Sequence, residues 1–171
     1  MNCYLKKIDE NIGTLEYEMY QDIPKNEIGS SNELNGLSFL EFKKKIKEYL
    51  KYETIIDPKI NATTKRYIFY VDDIPIGEIG IRTTLNDFWI NKGSQIFYKV
   101  RKQYRNKGYG TKMLELALIE CQKIGMKKVR INCDDNNEAS KKVIQNNKGK
   151  IDIQSYKTDN GTSSSYIIEL K

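Results

Sequence analysis

The clearest hydrophobic pattern in the chain predicts a helix over residues 108–124. Its apolar side chains recur at the i, i+3, i+4 and i+7 spacing of a single helical face, and they are Leu114, Ala117, Leu118 and Cys121. Gly125 follows as the expected helix stop. The other elements of the second half of the chain are predicted relative to this helix.

Strands and one further helix are expected around it. Segments rich in β-branched and aromatic residues predict strands, and a polar turn at residues 72–75 joins two of them into a hairpin. The predicted strands are 66–71, 76–82, 95–100, 128–133, 151–156 and 165–170, with a helix at 138–146 and a short helix or loop at 85–93. The last two strands form a closing hairpin around Asp159-Asn160-Gly161.

The first sixty residues carry weaker patterns. Ser38 followed three residues later by Glu41 is a capping box, and an amphipathic helix is expected after it. Residues 8–20 are expected to be helical and residues 22–36 to form a loop. Helices, a strand hairpin and helical crossovers in this order predict an α/β (α+β) fold with a mixed sheet.

Length and composition narrow the class of protein. The 171 residues suit a single domain, 1–171. No apolar run is long enough for a bilayer span, and the N-terminus lacks a signal-peptide core, so we expect a cytoplasmic protein without membrane partners. The chain has no histidine, which excludes Ser-His-Asp and Cys-His catalysis. Its three cysteines have no metal-site spacing, so no metal is expected.

The net charge of +6 is concentrated in one short stretch. Six cations and no acid lie between residues 99 and 112, namely Lys99, Arg101, Lys102, Arg105, Lys107 and Lys112. The rest of the chain carries equal numbers of acidic and basic side chains. Such a local cluster indicates a local anion, such as a phosphate group, whereas a nucleic-acid binder would show a broader basic surface.

Within this stretch, a glycine-containing turn leads from a predicted strand into the predicted helix. Gly108 and Gly110 allow backbone N–H groups to approach an anion, and the first N–H groups of a helix lack intrahelical partners. Arg105 and Lys107 add charge, and Thr111 adds a hydroxyl donor. The constellation suits a pyrophosphate. The alternative is a purely structural helix start, and the Walker and Rossmann spacings are both absent.

Two ordered motifs carry a resemblance to a known family. Arg105-x-x-Gly108-x-Gly110, preceded by Val100, resembles motif A of the GNAT superfamily of acetyl-CoA-dependent N-acetyltransferases. Asn137-x-x-Ser140, followed by Gly149, resembles the second strand-to-helix motif of that superfamily. The similarity runs roughly over residues 67–170. It implies a mostly antiparallel central sheet flanked by helices, with splayed strands that form an acyl-CoA cleft.

The resemblance also implies residue roles, with acetyl-CoA as the co-substrate. The backbone of Tyr98, Lys99 and Val100 would pair with the pantetheine arm. Asn137 would contact the cofactor or an active-site water, and Ser140 would lie near the pantetheine end. The pyrophosphate would be held by the loop residues Arg105, Asn106, Lys107, Gly108, Tyr109, Gly110 and Thr111.

The family reaction is direct transfer of the acetyl group to a primary amine, and this chain departs from the family pattern at the proton-transfer positions. Ile144 stands where many members carry a tyrosine that acts as the general acid. Another tyrosine could take this role, namely Tyr98, Tyr109, Tyr156 or Tyr166, or the reaction could need no general acid. Glu78 is the predicted general base, and its structural alternatives are a solvated strand glutamate and a salt-bridge partner of Arg82. Asp87 and Asp134 are weaker candidates for the base. Asn137 is assigned to catalysis, with a helix cap as the alternative.

Several questions stay open at the level of sequence. A non-catalytic acyl-CoA-binding module of the same fold is the alternative to an enzyme. The amine acceptor, small molecule or peptide, is not readable. Phe88 and Trp89 either line its pocket or pack in the core. The family resemblance implies a monomer or homodimer.

Overall fold

The computed structural model describes all 171 residues as nine strands and five α-helices. In chain order they are β1 (Cys3–Lys7), α1 (Thr14–Asp22), β2 (Asn26–Glu27), β3 (Ser30–Ser31), α2 (Phe39–Lys51), β4 (Thr64–Val71), β5 (Ile74–Arg82), α3 (Asp87–Asn91), β6 (Ile96–Val100), α4 (Tyr109–Lys123), β7 (Lys128–Asp134), α5 (Glu138–Asn146), β8 (Lys150–Thr158) and β9 (Gly161–Glu169). The strands and helices predicted after residue 38 are all present, with ends shifted by a few residues.

The strands form two main antiparallel sheets and one small hairpin. The first sheet has the order β1-β4-β5-β6, the second has the order β7-β9-β8, and β2 pairs only with β3. The β4–β5 hairpin turns through Asp72 and Asp73, which both have positive φ angles. The expected α/β fold with a mostly antiparallel sheet is therefore confirmed.

The two main sheets meet at one end of β6 and β7 and separate beyond it. Gln95 N–H donates to the Arg130 carbonyl at 2.8 Å, and Arg130 N–H donates to Gln95 Oε1 at 2.8 Å. Asn132 N–H donates to Ser94 Oγ at 3.0 Å. No β-ladder joins β6 to β7 past these contacts. A cleft therefore opens between the two strands toward Val100.

Helices cover both faces of the first sheet. Of the predicted apolar face of α4, Leu114, Ala117 and Cys121 are fully buried with Met113 against the sheet, and Leu118 is partly buried. On the opposite face, α1 and α2 enclose a second cluster that includes Met19, Tyr20, Phe42 and Ile46. The Ser38–Glu41 capping box begins α2 as predicted. None of the helices combines the length and apolar character needed to cross a membrane.

The N-terminal region differs from the sequence prediction. Residues 8–20 were expected to be helical, but α1 begins only at Thr14, and Ile8 and Ile12 are buried in the segment before it. Residues 3–7 form the edge strand β1, which pairs with β4 from Cys3–Val71 to Lys7–Tyr67. Because its partner lies some sixty residues away in the chain, this strand has no local signal.

Candidate active site

The basic stretch folds into a tight loop between β6 and α4. Residues 102–104 form one 3₁₀ turn, and Arg105 N–H donates to the Lys102 carbonyl. Asn106 and Gly108 then adopt left-handed backbone conformations, with φ angles of 58° and 81°. Gly108 is the N-cap of α4, and nothing lies within 4 Å of the position that a Cβ would occupy there. The predicted strand–loop–helix arrangement is present.

Backbone donors accumulate at the end of this loop. None of the six N–H groups from Asn106 to Thr111 donates to a backbone carbonyl. Consecutive free N–H groups at a helix N-terminus carry partial positive charge and form an anion site. The loop also borders a cavity of about 470 Å³ that is lined on one side by Lys107, Gly108, Tyr109 and Lys112 and on the other by residues 1–3. The donors present thus fit a diphosphate group.

Fewer cations of the basic stretch are free to bind an anion than their number suggests, because two of the arginines are paired with carboxylates. Arg105 Nη2 lies 2.8 Å from Glu27 Oε1, and its Nε donates to the Val100 carbonyl at 2.9 Å. Arg101 pairs with Asp22. Lys102 and Lys107 have no carboxylate partner, and Lys107 Nζ lies 5.7 Å from the centre of the Tyr104 ring. The side chain of Arg105 therefore holds the loop in shape rather than standing free beside the anion site.

Strand β6 borders the cleft with an unpaired edge. Its residues pair on one side with β5, through Ile79–Tyr98, Glu78–Lys99 and Gly77–Val100. Arg101 N–H donates to the Ile76 carbonyl, and antiparallel alternation then directs the N–H groups of Lys99 toward β5 and those of Tyr98 and Val100 toward the cleft. The cleft side of β6 can accept an extended arm as an added strand.

The side chain of Tyr98 spans the cleft to α5. Its hydroxyl lies 2.6 Å from Ser140 Oγ and 3.4 Å from the Ser140 carbonyl oxygen. Burial raises the pKa of Tyr98 above its ordinary value, so the phenol keeps its proton at neutral pH. Ile144, one helical turn beyond Ser140, is fully buried in the core. Among the four tyrosines considered, Tyr98 brings a hydroxyl to the helix face that carries Ser140 and Ile144.

Asn137 caps α5. Its Oδ1 accepts a hydrogen bond from Ser140 N–H at 3.1 Å, and its Nδ2 donates to the Ile28 carbonyl at 3.3 Å. Thr111, at the start of α4, accepts hydrogen bonds from the side chains of Asn146 and Asn147. The start of α4 is thus tied to the C-terminal end of α5, and the start of α5 is tied to Ile28.

Glu78 is completely buried between two cations. Its Oε1 lies 2.8 Å from Arg66 Nη1, and its Oε2 lies 3.1 Å from Lys99 Nζ. Burial alone would raise the pKa of Glu78, but the charges of Lys99 and Arg66 outweigh it and lower the pKa to about 2. The expected partner Arg82 makes no ion pair with Glu78. At neutral pH this carboxylate is ionised and already engaged.

The other proton-transfer candidates lie outside this arrangement or hold structural contacts. Asp134 accepts a hydrogen bond from Ser163 at 2.7 Å, and Asp87 lies in the first turn of α3. Tyr109 Oη lies 3.6 Å from Met1 Sδ, and Tyr166 is buried in the main core. Tyr156 lies on β8, where it pairs with Ser163 of β9.

A short hairpin at residues 26–31, the cleft hairpin, crosses the mouth of the cleft. Glu27 pairs with Arg105, Ser31 accepts a hydrogen bond from Lys99 Nζ at 2.8 Å, and Ile28 accepts one from Asn137. A Cβ on Gly29, whose φ is +70°, would lie 3.0 Å from Asn137 Nδ2. The sequence indicated only a loop here, and the glycine at this turn is its sole local signal. The hairpin ties β6 to α5 across the opening.

A family model described as an acetyltransferase (GNAT) domain matches residues 41–150. The chain belongs to the GNAT family of acetyltransferases. Its sequence matches none of the curated proteins with which it was compared. The GNAT fold and acetyl-CoA as co-substrate, both expected from the two motifs, are thereby confirmed, and this acetyltransferase is an enzyme by family.

Solved structures of other acetyltransferases share the fold. RimL is a ribosomal alpha-N-protein acetyltransferase that was solved with coenzyme A in disulfide linkage to a cysteine. It is 17% identical to this chain with a TM-score of 0.71, and the match covers 98% of this chain and 94% of the RimL chain. An acetyltransferase from Salmonella typhimurium that modifies the N-terminal serine of a 50S ribosomal subunit protein has a TM-score of 0.68 and 17% identity, with coverage of 99% and 95%.

An aminoglycoside acetyltransferase, AAC(6')-Ib, solved with coenzyme A, has a TM-score of 0.63 and 14% identity, covering 98% of this GNAT chain and 95% of its own. Because one of these proteins acetylates a protein terminus and another an aminoglycoside, the shared fold does not assign the acceptor of this chain.

Proposed function

We propose that this chain transfers the acetyl group of acetyl-CoA directly to a primary amine, and that residues 1–171 act as one domain in the cytoplasm, as a monomer or homodimer. The observation that carries the proposal is the free edge of β6 at the split between the sheets, which leads directly into six backbone N–H groups without acceptors. An acyl-CoA molecule needs both features, one for its extended arm and one for its diphosphate.

The proposal assigns the cofactor contacts mainly to the backbone. The N–H groups of residues 106–111 would hold the diphosphate, with Lys107 adding charge. Tyr98 would pair with the pantetheine arm through its cleft-facing backbone groups. Val100 would offer its N–H alone, because Arg105 already occupies its carbonyl. Lys99, which the family resemblance assigns to the same backbone pairing, would make no contact with the arm, because its backbone groups face β5 and its side chain is engaged by Glu78 and Ser31.

The chemistry requires stabilisation of the thioester oxygen and a proton for the leaving sulfur. The cleft-facing N–H of Tyr98 or Val100 is positioned on β6 to donate to the oxygen as negative charge develops there. The Tyr98 hydroxyl, held at 2.6 Å from Ser140 Oγ, would donate the proton to the thiolate. In this proposal Tyr98 takes the part that a tyrosine at position 144 plays in other members.

Removal of the proton from the acceptor amine does not require Glu78 as the base. A carboxyl group with a pKa of about 2 is a weak proton acceptor at neutral pH. Glu78 instead fixes Lys99 and Arg66 on the face of the first sheet that lies opposite Tyr98. Positive charge there lowers the pKa of a nearby ammonium group, which then gives a proton to water and reacts as the neutral amine. Asn137 would position α5 and the cleft hairpin around the reacting groups.

The test of the cofactor site is a thermal-shift titration with acetyl-CoA on Gly108→Glu and on Gly125→Glu as a matched control. Both glycines are in the left-handed region, at φ values of +81° and +86°, with open space around the missing Cβ, so both variants carry similar backbone strain. They lie at opposite ends of α4. A ligand that binds only the folded state raises the melting temperature with its concentration.

We expect acetyl-CoA to stabilise the wild type and Gly125→Glu but not Gly108→Glu, because the new carboxylate at position 108 repels the diphosphate and covers its N–H donors. Release of free CoA with a panel of amines then tests transfer. Equal stabilisation of both variants by acetyl-CoA would contradict the assignment of the loop. Absence of CoA release with every amine would contradict transfer.

A further inference from the structure

Arg82, at the end of β5, lacks a carboxylate partner. The chain has five arginines, and the other four each pair with an acid: Arg66 with Glu78, Arg101 with Asp22, Arg105 with Glu27 and Arg130 with Asp152. The guanidinium of Arg82 donates one hydrogen bond, from Nη1 to the Ser94 carbonyl. Its Nε is buried and has no hydrogen-bond partner. A half-buried cation with unused donors is costly unless an anion reaches it.

Two aromatic rings fix the guanidinium in position. Its Cζ lies 4.8 Å from the centre of the Trp89 ring and 5.1 Å from the centre of the Phe97 ring. Trp89 is held by a hydrogen bond from its Nε1 to the Asn61 carbonyl at 3.0 Å. Phe97 covers Gly80 so closely that a Cβ there would lie 2.0 Å from the ring. These two contacts preorganise the guanidinium of Arg82, which reduces the entropy lost when a ligand binds.

Arg82 faces the side of the cleft opposite the cofactor-binding side. Side chains alternate along β6, so that Tyr98 extends to Ser140 on α5 while Phe97 and Lys99 point to the other face. Phe97 contacts both Arg82 and Arg66 on that face. An acceptor that approaches β6 from the side away from Tyr98 therefore meets the surface formed by Phe97, Lys99 and Arg82.

The charge of this surface is positive. Arg66 and Lys99 share the single carboxylate of Glu78, and Arg82 has none. Glu33 is engaged by Lys45 and by the Tyr49 hydroxyl. Burial and the charge of Arg66 lower the pKa of Arg82 to about 10, so the guanidinium stays charged at pH 7. A polycationic amine would be repelled here, whereas a carboxylate would complete the site.

We propose that Arg82 binds the carboxylate of the acceptor, and that the acceptor is a free amino acid, which carries a primary amine and a carboxylate in one small molecule. The proposal rests on the transfer function proposed above. The planar guanidinium of Arg82 suits a carboxylate. Its Nη2 makes no hydrogen bond within the chain and is open to a ligand, whereas Nε is enclosed by the protein. Arg82 then acts as a specificity-determining residue.

The experiment is calorimetric titration of the CoA-loaded protein with matched ligand pairs. Alanine, leucine, phenylalanine and lysine are each compared with the corresponding amino-acid amide, which keeps the amine and removes the carboxylate. We expect at least one amino acid to bind about 10- to 100-fold more tightly than its amide, as a hydrogen bond to a charged group implies. In Arg82→Gln this ratio should fall to within about twofold.

Two controls separate the local effect of Arg82 from general changes. Lys127→Gln removes an exposed cation that has no ion pair and lies just before β7, and it should leave the ratio unchanged. Arg82→Lys keeps the charge but loses the fork, and it should retain only part of the preference. Thermal shift with acetyl-CoA should be the same in the wild type and Arg82→Gln, which shows that the variant is folded.

The proposal is overturned if the wild type binds amino acids and amides equally, if it binds neither, or if spermidine binds in their place. Survival of the full preference in Arg82→Gln also overturns it. Binding is measured without turnover, so the two proposals fail separately: preferential binding of an amino acid without CoA release would refute the transfer function and leave the role of Arg82 intact.

Discussion

Replacing Glu78 with glutamine is expected to destabilise the protein by about 3–5 kcal/mol, the usual cost of removing one partner from a buried ion pair. The carboxylate is fully buried and lies between Arg66 and Lys99, at 2.8 and 3.1 Å. Glutamine has a similar shape but no charge, so it leaves two cations without a counter-charge in the interior. Lowering a pKa from 4.5 to about 2 corresponds independently to about 3 kcal/mol.

The assay is urea unfolding of the wild type and Glu78→Gln at pH 7, with Glu138→Gln as the matched control. Glu138 forms an exposed pair with Lys141 at 2.8 Å, and its removal should cost less than about 1 kcal/mol. For a chain of this length, the Glu78 variant should lose about 6–20 °C in Tm. Activity is then measured at a temperature at which both variants are fully folded.

The pH dependence follows from the same ion pairs. Because the folded pKa of Glu78 is lower than the unfolded one, its stabilising contribution is complete above pH 4.5 and is lost as the pH falls toward about 2. Glu78→Gln should lack this part of the acid-induced loss of stability. If the free energy of unfolding changes by less than about 1 kcal/mol while kcat falls sharply, Glu78 is the proton acceptor and its purely structural role is refuted.

Two further substitutions test the remaining assignments. Tyr98→Phe should lower kcat for CoA release by about 10²- to 10⁴-fold, because the Tyr98 hydroxyl beside Ser140 is the proposed general acid. Stabilisation by acetyl-CoA should be unchanged. An unchanged kcat would show that the Tyr98 hydroxyl is not the general acid. Asn137→Ala should cost about 1 kcal/mol in urea unfolding through loss of the α5 cap, as Ser38→Ala should at α2. If kcat falls in Asn137→Ala but not in Ser38→Ala, the result supports a contact between Asn137 and the reacting groups. If the two variants have equal kcat values, Asn137 acts only as a helix cap.

The strand–loop–helix segments were predictable because their signals are local. The apolar spacing of α4, the glycine at its start and the asparagine at the start of α5 each depend on a few neighbouring residues. The two motifs also follow each other along the chain in the same order as in the GNAT superfamily, and this order supports the resemblance. The Asn137 helix cap and the proposed backbone anion site both follow from the chemistry of a few neighbouring residues.

The side-chain environment of the site was not predictable in this way. Arg105 was expected to stand beside the anion, but Glu27, 78 positions earlier, engages its guanidinium. From the sequence, Glu78 is the predicted general base. The structure surrounds it with Arg66 and Lys99, which come from the two neighbouring strands.

The sequence by itself determined the family, the co-substrate and the elements that hold the cofactor loop, because glycines, caps and hydrophobic periods act on neighbouring residues. Only the tertiary structure decided the pairing of β1, the closing contacts of the cleft hairpin and the charge state of each buried group. Those properties depend on which distant side chains share a low-dielectric interior, where a single added cation changes the pKa of a carboxylate and an unpartnered Arg82 becomes a binding group.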